Sequence, residues 1–127
     1  MSGMEINVKA AETLDKVRKV FHDMRPGETR KYLLTYHDCQ ACPEVMESFK
    51  KQIDSKEFRV LECGPKNEET KLNDSLAEDL EVKDFPEMFQ VTRERDGNYK
   101  FCLYNPVVKK VEGCKVIRKE SDSPETS

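Results

Sequence analysis

Cys39 and Cys42 stand three residues apart in the stretch "YLLTYHDCQACPEVMESF", which runs from Tyr32 to Phe49. Two thiols at that spacing can cycle between dithiol and disulfide, supply half of a metal site, or lie buried as small apolar side chains. Exchange chemistry asks for one accessible thiol that readily forms its thiolate. It also asks for a second thiol near enough to attack a mixed disulfide formed at the first. A zinc site asks for four ligands, usually including a second closely spaced Cys or His pair. Cys102 and Cys114 are too far apart in sequence to be that pair, which leaves His37 or Cys63 as ligands the fold could bring near. A soft-metal site for Cu(I) would need only two cysteines.

The chain that must position these thiols has 127 residues, enough for one domain with one core. That domain is expected over residues 1–119, with the polar, Pro- and Ser-containing stretch at 120–127 as a disordered tail. Lys and Arg nearly balance Asp and Glu, giving a formal charge of -3, so no basic excess is present to hold nucleic acid. No apolar run approaches the roughly 20 residues of a membrane span, and the first residues have no apolar signal region. These features predict a cytoplasmic protein without membrane or nucleic-acid partners. Five cysteines cannot all pair within one molecule, and in that compartment disulfides are usually transient and catalytic.

Apolar residues at Val8, Ala11, Leu14, Val17, Val20, Phe21 and Met24 follow one helix face, and Pro26 and Gly27 end that helix. Tyr32 to Tyr36 is an unbroken apolar run that suits a strand covered on both faces. A helix from about Gln40 to Ile53 follows, carrying Ala41, Val45, Phe49 and Ile53 on one side, with Pro43 tolerated in its first turn. "FRVLEC" (Phe58 to Cys63) predicts a second strand, and Leu72, Leu76 and Leu80 predict a short helix. "DFPEMFQV" opens a third strand, and the Asp96-Gly97 turn returns the chain as "YKFCLY". The Asn105-Pro106 start and Gly113 stop predict a brief last helix, although its valines suit a strand equally well. The sum is an α/β domain: a central four-stranded mixed sheet with helices on both faces and an additional N-terminal helix.

Three features in this order resemble the thioredoxin-like superfamily. They are Cys39-Gln40-Ala41-Cys42 at a strand-to-helix junction, the strand, helix and hairpin order around it, and Phe85-Pro86 at the entry to the third strand. The resemblance covers roughly Tyr32 to Tyr104 and implies a thiol-disulfide oxidoreductase with no bound cofactor. Its partners would be protein dithiol or disulfide substrates and an electron donor such as a thioredoxin reductase-type enzyme. It also implies that Pro86 is cis, packed against the cysteines, with Phe85 offering backbone hydrogen bonds to an extended substrate. A trans proline at a strand start is the alternative that the residues alone favour. Within this reading Cys39 is the attacking thiol, favoured as thiolate by the helix start, and Cys42 is the resolving thiol.

The chain also departs from the best-known members. It has no Trp, it has Gln40-Ala41 where thioredoxins have Gly-Pro, and Leu33 lies about where they bury an Asp. Proton removal from Cys42 therefore has no evident base, with His37 and Asp38 the nearest candidates. The Thr-Val-Pro and Gly-Gly patterns by which glutaredoxins hold glutathione are missing. Cys42-Pro43 is similar to the Cys-x-x-Cys-Pro of archaeal glutaredoxin-like protein disulfide oxidoreductases. Asp38 and Glu44 oppose a Cys39 thiolate, which predicts a reducing or middling potential. Other readings are a redox-inactive thioredoxin-like binding or adapter module and a soft-metal carrier. Cys63 is expected to be a small buried residue or an incidental surface thiol, Cys102 a core residue of its strand, and Cys114 an exposed thiol.

Overall fold

A computed structural model of the chain describes residues 10–118. Val8 and the tail expected at 120–127 lie outside the described residues. The element order is α1 (Ala10–Val20), β1 (Thr29–Tyr36), α2 (Cys42–Ser48), α3 (Lys50–Asp54), β2 (Phe58–Cys63), α4 (Glu68–Asp79), β3 (Glu87–Arg93), β4 (Tyr99–Asn105) and β5 (Lys110–Ile117). The strands form one mixed sheet in the order β2-β1-β3-β4-β5. β1 and β2 are parallel, joined through α2 and α3, and the remaining neighbours pair antiparallel. Parallel pairing needs a crossover of about a dozen residues or more, which the helical segment between Tyr36 and Phe58 supplies.

Alternation along β1 builds the two sides of the core. Tyr32 and Leu34 enter a large cluster with Leu14 and Val17 of α1, Phe21 just after it, Leu76 and Ala77 of α4, and Leu80 at the cap of α4. Leu33 points to the opposite face, where it packs with Phe58, Met88, Val45, Phe49 and Ile53 under α2 and α3. β1 is thus covered on both faces, as an unbroken apolar run requires. Burying a side chain such as Leu33 contributes about 2 kcal/mol. Thr13 and Lys16 of α1 donate to Asp79 at 3.0 and 2.8 Å, tying the first helix to the end of α4. Asn67 caps α4 in a reciprocal arrangement with Thr70, which starts that helix earlier than its leucine spacing alone indicates.

Three expectations change. The sheet has five strands rather than four. The brief last helix is absent: residues 106–109 form a turn and the following residues become β5. Asn105 does accept hydrogen bonds from the N-H groups of Val107 and Val108, as a helix cap would. Lys109, however, takes φ 59° and donates its N-H to the Asn105 carbonyl at 2.8 Å, which closes a hairpin. The Asn-Pro signal serves a turn as well as a cap, and the β-branched Val111 and Val116 then favour a strand. The helix expected over Gln40 to Ile53 is also broken. Phe49 leaves helical geometry at φ -110°, ψ 24°, and so separates α2 from α3.

Candidate functional site

β1 ends at Tyr36, and the next five residues turn the chain into α2. The Cys39 N-H donates to the Tyr36 carbonyl at 3.1 Å, and the His37 N-H to the Cys63 carbonyl at 3.1 Å. These two bonds hold the junction against the ends of both parallel strands. Cys42 is the first residue of α2, Ala41 its cap and Pro43 its next residue. That position suits proline, because its missing N-H would have had no helical partner.

Cys39 and Cys42 are joined by a disulfide with their Cα atoms 5.4 Å apart. Cys42 is buried, with 4 % of its surface exposed, whereas Cys39 is partly open. Both line a cavity of about 250 Å³ together with Thr35, Tyr36, His37, Pro43, Met46, Val60 and Glu62. Asp38 is exposed and is not among the lining residues, so His37 is the one of the two proposed bases that shares the cavity. The ring of His37 lies 4.6 Å from that of Tyr36, tilted by 52°. Gly64 makes room for it: a Cβ there would stand 2.7 Å from His37 Nδ1, and the backbone has φ +136°, a region that L side chains rarely adopt.

Phe85 and Pro86 precede β3, one residue before the Leu34 to Glu87 pair, and therefore approach the end of β1 from which Cys39 emerges. The Phe85 ring lies 5.2 Å from that of Tyr36. The Phe85-Pro86 peptide bond is cis, so the trans alternative open to the sequence is not taken. The loop before β3 and the turn after β1 are thus neighbours through Tyr36.

Cys63 falls on the other side of the sheet. Its side chain is fully buried in the cluster under α1 and α4. Burial, with the nearby Asp74 and Glu62 charges, pushes its thiol pKa up to about 12. It is a packing residue, as expected, and it does not join His37 at the cysteine pair. Among the described residues no group of three or more His, Cys, Asp and Glu side chains is placed to hold a metal ion.

The second disulfide departs from the sequence expectation, which left Cys102 and Cys114 unpaired. Cys102 of β4 and Cys114 of β5 are opposed in register and bonded, with Cα atoms 4.0 Å apart. Cys114 is therefore not the exposed thiol the sequence suggested. A signal did exist: two cysteines separated by 12 positions, centred on an Asn-Pro turn, will face each other if the segment is a hairpin. The expected last helix concealed it.

Thr35, Val60 and Glu62 were also missed as site residues. Their signal lay in the parallel pairing of β1 with β2, which sets Thr35 opposite Glu62. A larger cavity of about 470 Å³ lies between the segment after α4 and strands β3 to β5, and contains neither Cys39 nor Cys42. No helix among the described residues is long and apolar enough to cross a membrane. Comparison of the chain with known protein families, with curated proteins and with solved structures finds no match.

Proposed function

We propose that the protein is a thiol-disulfide oxidoreductase of thioredoxin-like architecture that uses Cys39 and Cys42 as its redox pair. The observation that carries this reading is the asymmetry of the pair: a partly open Cys39 and a buried Cys42, disulfide-linked, share one cavity at the end of β1. The parallel β1 and β2 joined by helices, followed by the β3 and β4 hairpin, support the architecture.

In the reducing direction the Cys39 thiolate attacks a substrate disulfide, forming a mixed disulfide and releasing one substrate thiolate. Cys42, as thiolate, then attacks the Cys39 sulfur. The second substrate thiolate leaves, and the two electrons given up by the pair have reduced the substrate. The Cys39-Cys42 disulfide is the product of that turnover, and an electron donor of the thioredoxin reductase type returns it to the dithiol. Phe85 and Pro86 border the substrate side. A cytoplasmic site of action belongs to the same proposal.

The helix behind Cys39 is α2 alone, from Cys42 to Ser48, because the break at Phe49 interrupts it. Since the dipole effect acts within the first turn, the break leaves the preference for a Cys39 thiolate in place. Exchange with a protein disulfide tests the reading. Cys39→Ser should abolish it, and Cys42→Ser should accumulate mixed disulfides; reduction by Cys39→Ser at the wild-type rate overturns it.

One observation favours a second reading, a redox-inactive adapter. Val107, Val108 and Val111 are 87 %, 54 % and 42 % exposed around the β4 to β5 hairpin, an apolar surface of the kind partners bind. An adapter predicts that the hairpin variant Val107→Asp loses partner binding while Cys39→Ser keeps it.

A further inference from the structure

The resolving step requires the Cys42 thiol to lose its proton, yet Cys42 is buried and the strand beneath it offers an apolar Leu33. Burial raises the pKa of a thiol, so an unassisted Cys42 would attack slowly at neutral pH. Besides His37, the cavity contains two groups that can carry the proton away. Thr35, 5 % exposed, lines the cavity, and its hydroxyl has no hydrogen-bond partner among the described residues. A buried hydroxyl is costly to leave unpaired, and this one is free to bond a water or a sulfur in that space. Glu62 is the cross-strand neighbour of Thr35 and lines the same cavity.

The position of Glu62 is fixed by its backbone. Its carbonyl accepts a hydrogen bond from the buried Asn73 amide at 2.8 Å, which holds this end of β2 against α4. Its side chain is 41 % exposed and its carboxylate stands 3.7 Å from Lys66 Nζ. One end of Glu62 therefore faces the cavity and the other reaches solvent. The titratable groups around it are His37 after β1, Cys39 and Cys42 at the start of α2, and Lys66 after β2. Pro43, Met46 and Val60 complete the wall with apolar surface.

We propose that Thr35 and Glu62 form the proton path of Cys42, with Glu62 as acceptor and the Thr35 hydroxyl as the relay. The inference rests on the exchange reading and deepens it. In the mixed disulfide the Cys42 proton passes through the Thr35 hydroxyl, or a water bound to it, to the Glu62 carboxylate. The Cys42 thiolate forms the new S-S bond to Cys39, and the bond from Cys39 to the substrate breaks. The departing substrate thiolate takes up a proton from Glu62 or from solvent, which restores the carboxylate. No oxidant or reductant beyond the substrate disulfide is consumed.

Reaction of the dithiol protein with 5,5'-dithiobis(2-nitrobenzoate), followed by stopped flow, separates the steps. The first burst of thionitrobenzoate reports attack by Cys39. The second, missing in Cys42→Ser, reports attack by Cys42. Glu62→Gln should leave the first burst unchanged, slow the second about tenfold or more at neutral pH, and move its pH midpoint upward. Thr35→Val should slow the second burst several-fold, and Thr35→Ser should restore it. A second burst with wild-type rate and pH profile in both Glu62→Gln and Thr35→Val overturns the proton path. So does a profile that shifts in His37→Gln but not in Glu62→Gln. Absence of the first burst from the wild-type protein overturns the exchange reading itself, and the proton path with it.

Discussion

The chain makes the same bond twice, in two different settings. Cys39 and Cys42 close a loop of three positions where a strand turns into a helix, beside a cavity with polar neighbours. Cys102 and Cys114 close a loop of 12 positions across two adjacent antiparallel strands, pinning the edge strand β5 to the sheet. In a loop-entropy account, the longer closure stabilises the fold by about 3 kcal/mol and the shorter by about 2. The larger contrast is in what surrounds each bond. The first pair has a partly open Cys39 and shares its cavity with His37, Thr35 and Glu62, a setting that the proposed exchange could use. The second holds a strand whose outer edge has no neighbour among the described residues, and whose residues Lys110 to Gly113 are all exposed.

Substitutions can pull the two roles apart. The largest effect expected is on exchange: Cys39→Ser should remove disulfide reductase activity by at least about a hundredfold, and the Cys102→Ala and Cys114→Ala double variant should retain it. A double variant that is folded but inactive would erase the contrast. Next comes stability. The same double variant should lose about 3 kcal/mol in urea unfolding, the loop-closure contribution of the longer bridge. Gly64→Ala sharpens the catalytic side: its Cβ meets His37 and its φ is unfavourable, so it should lose about 1–2 kcal/mol and disturb the cysteine turn. Slower exchange without any loss of stability would place the effect elsewhere.

Cys63 is the control that belongs to neither pair, and its effect is the smallest. Its folded pKa, about 12, lies above that of an exposed thiol. Such a group contributes stability fully below the unfolded pKa of roughly 8.5 and loses it as pH rises toward the folded value. Urea unfolding should therefore show the wild-type protein losing about 1 kcal/mol more than Cys63→Ala between pH 8.5 and 9.5. Equal slopes would mean the thiol is not protected.

Much of the fold could be read from the chain because the signals were local. β2 follows "FRVLEC" to the residue, whereas β1, α1 and α4 contain the apolar periods that predicted them but differ from those periods at their ends. The last strand was hidden because Asn105-Pro106 has the same chemistry in a helix cap and in a turn, and only the hairpin context decides between them. The candidate site was legible only in part. Cys39, Cys42, Phe85 and Pro86 carried a recognisable pattern along the chain. Thr35 and Glu62 join the cysteines only through strand pairing between segments separated by two helices, which no local period encodes. His37 was visible as a candidate base, but the need for Gly64 beside it emerges only when the two loops meet in space.

A redox titration of the Cys39-Cys42 couple, in the Cys102→Ala and Cys114→Ala variant so that one disulfide is observed, tests the central claim most directly. The exchange reading predicts a reversible two-electron transition between about -180 and -270 mV, the middling-to-reducing span expected of this pair. A pair that stays oxidised well below about -270 mV, or that never re-forms its disulfide, would contradict it.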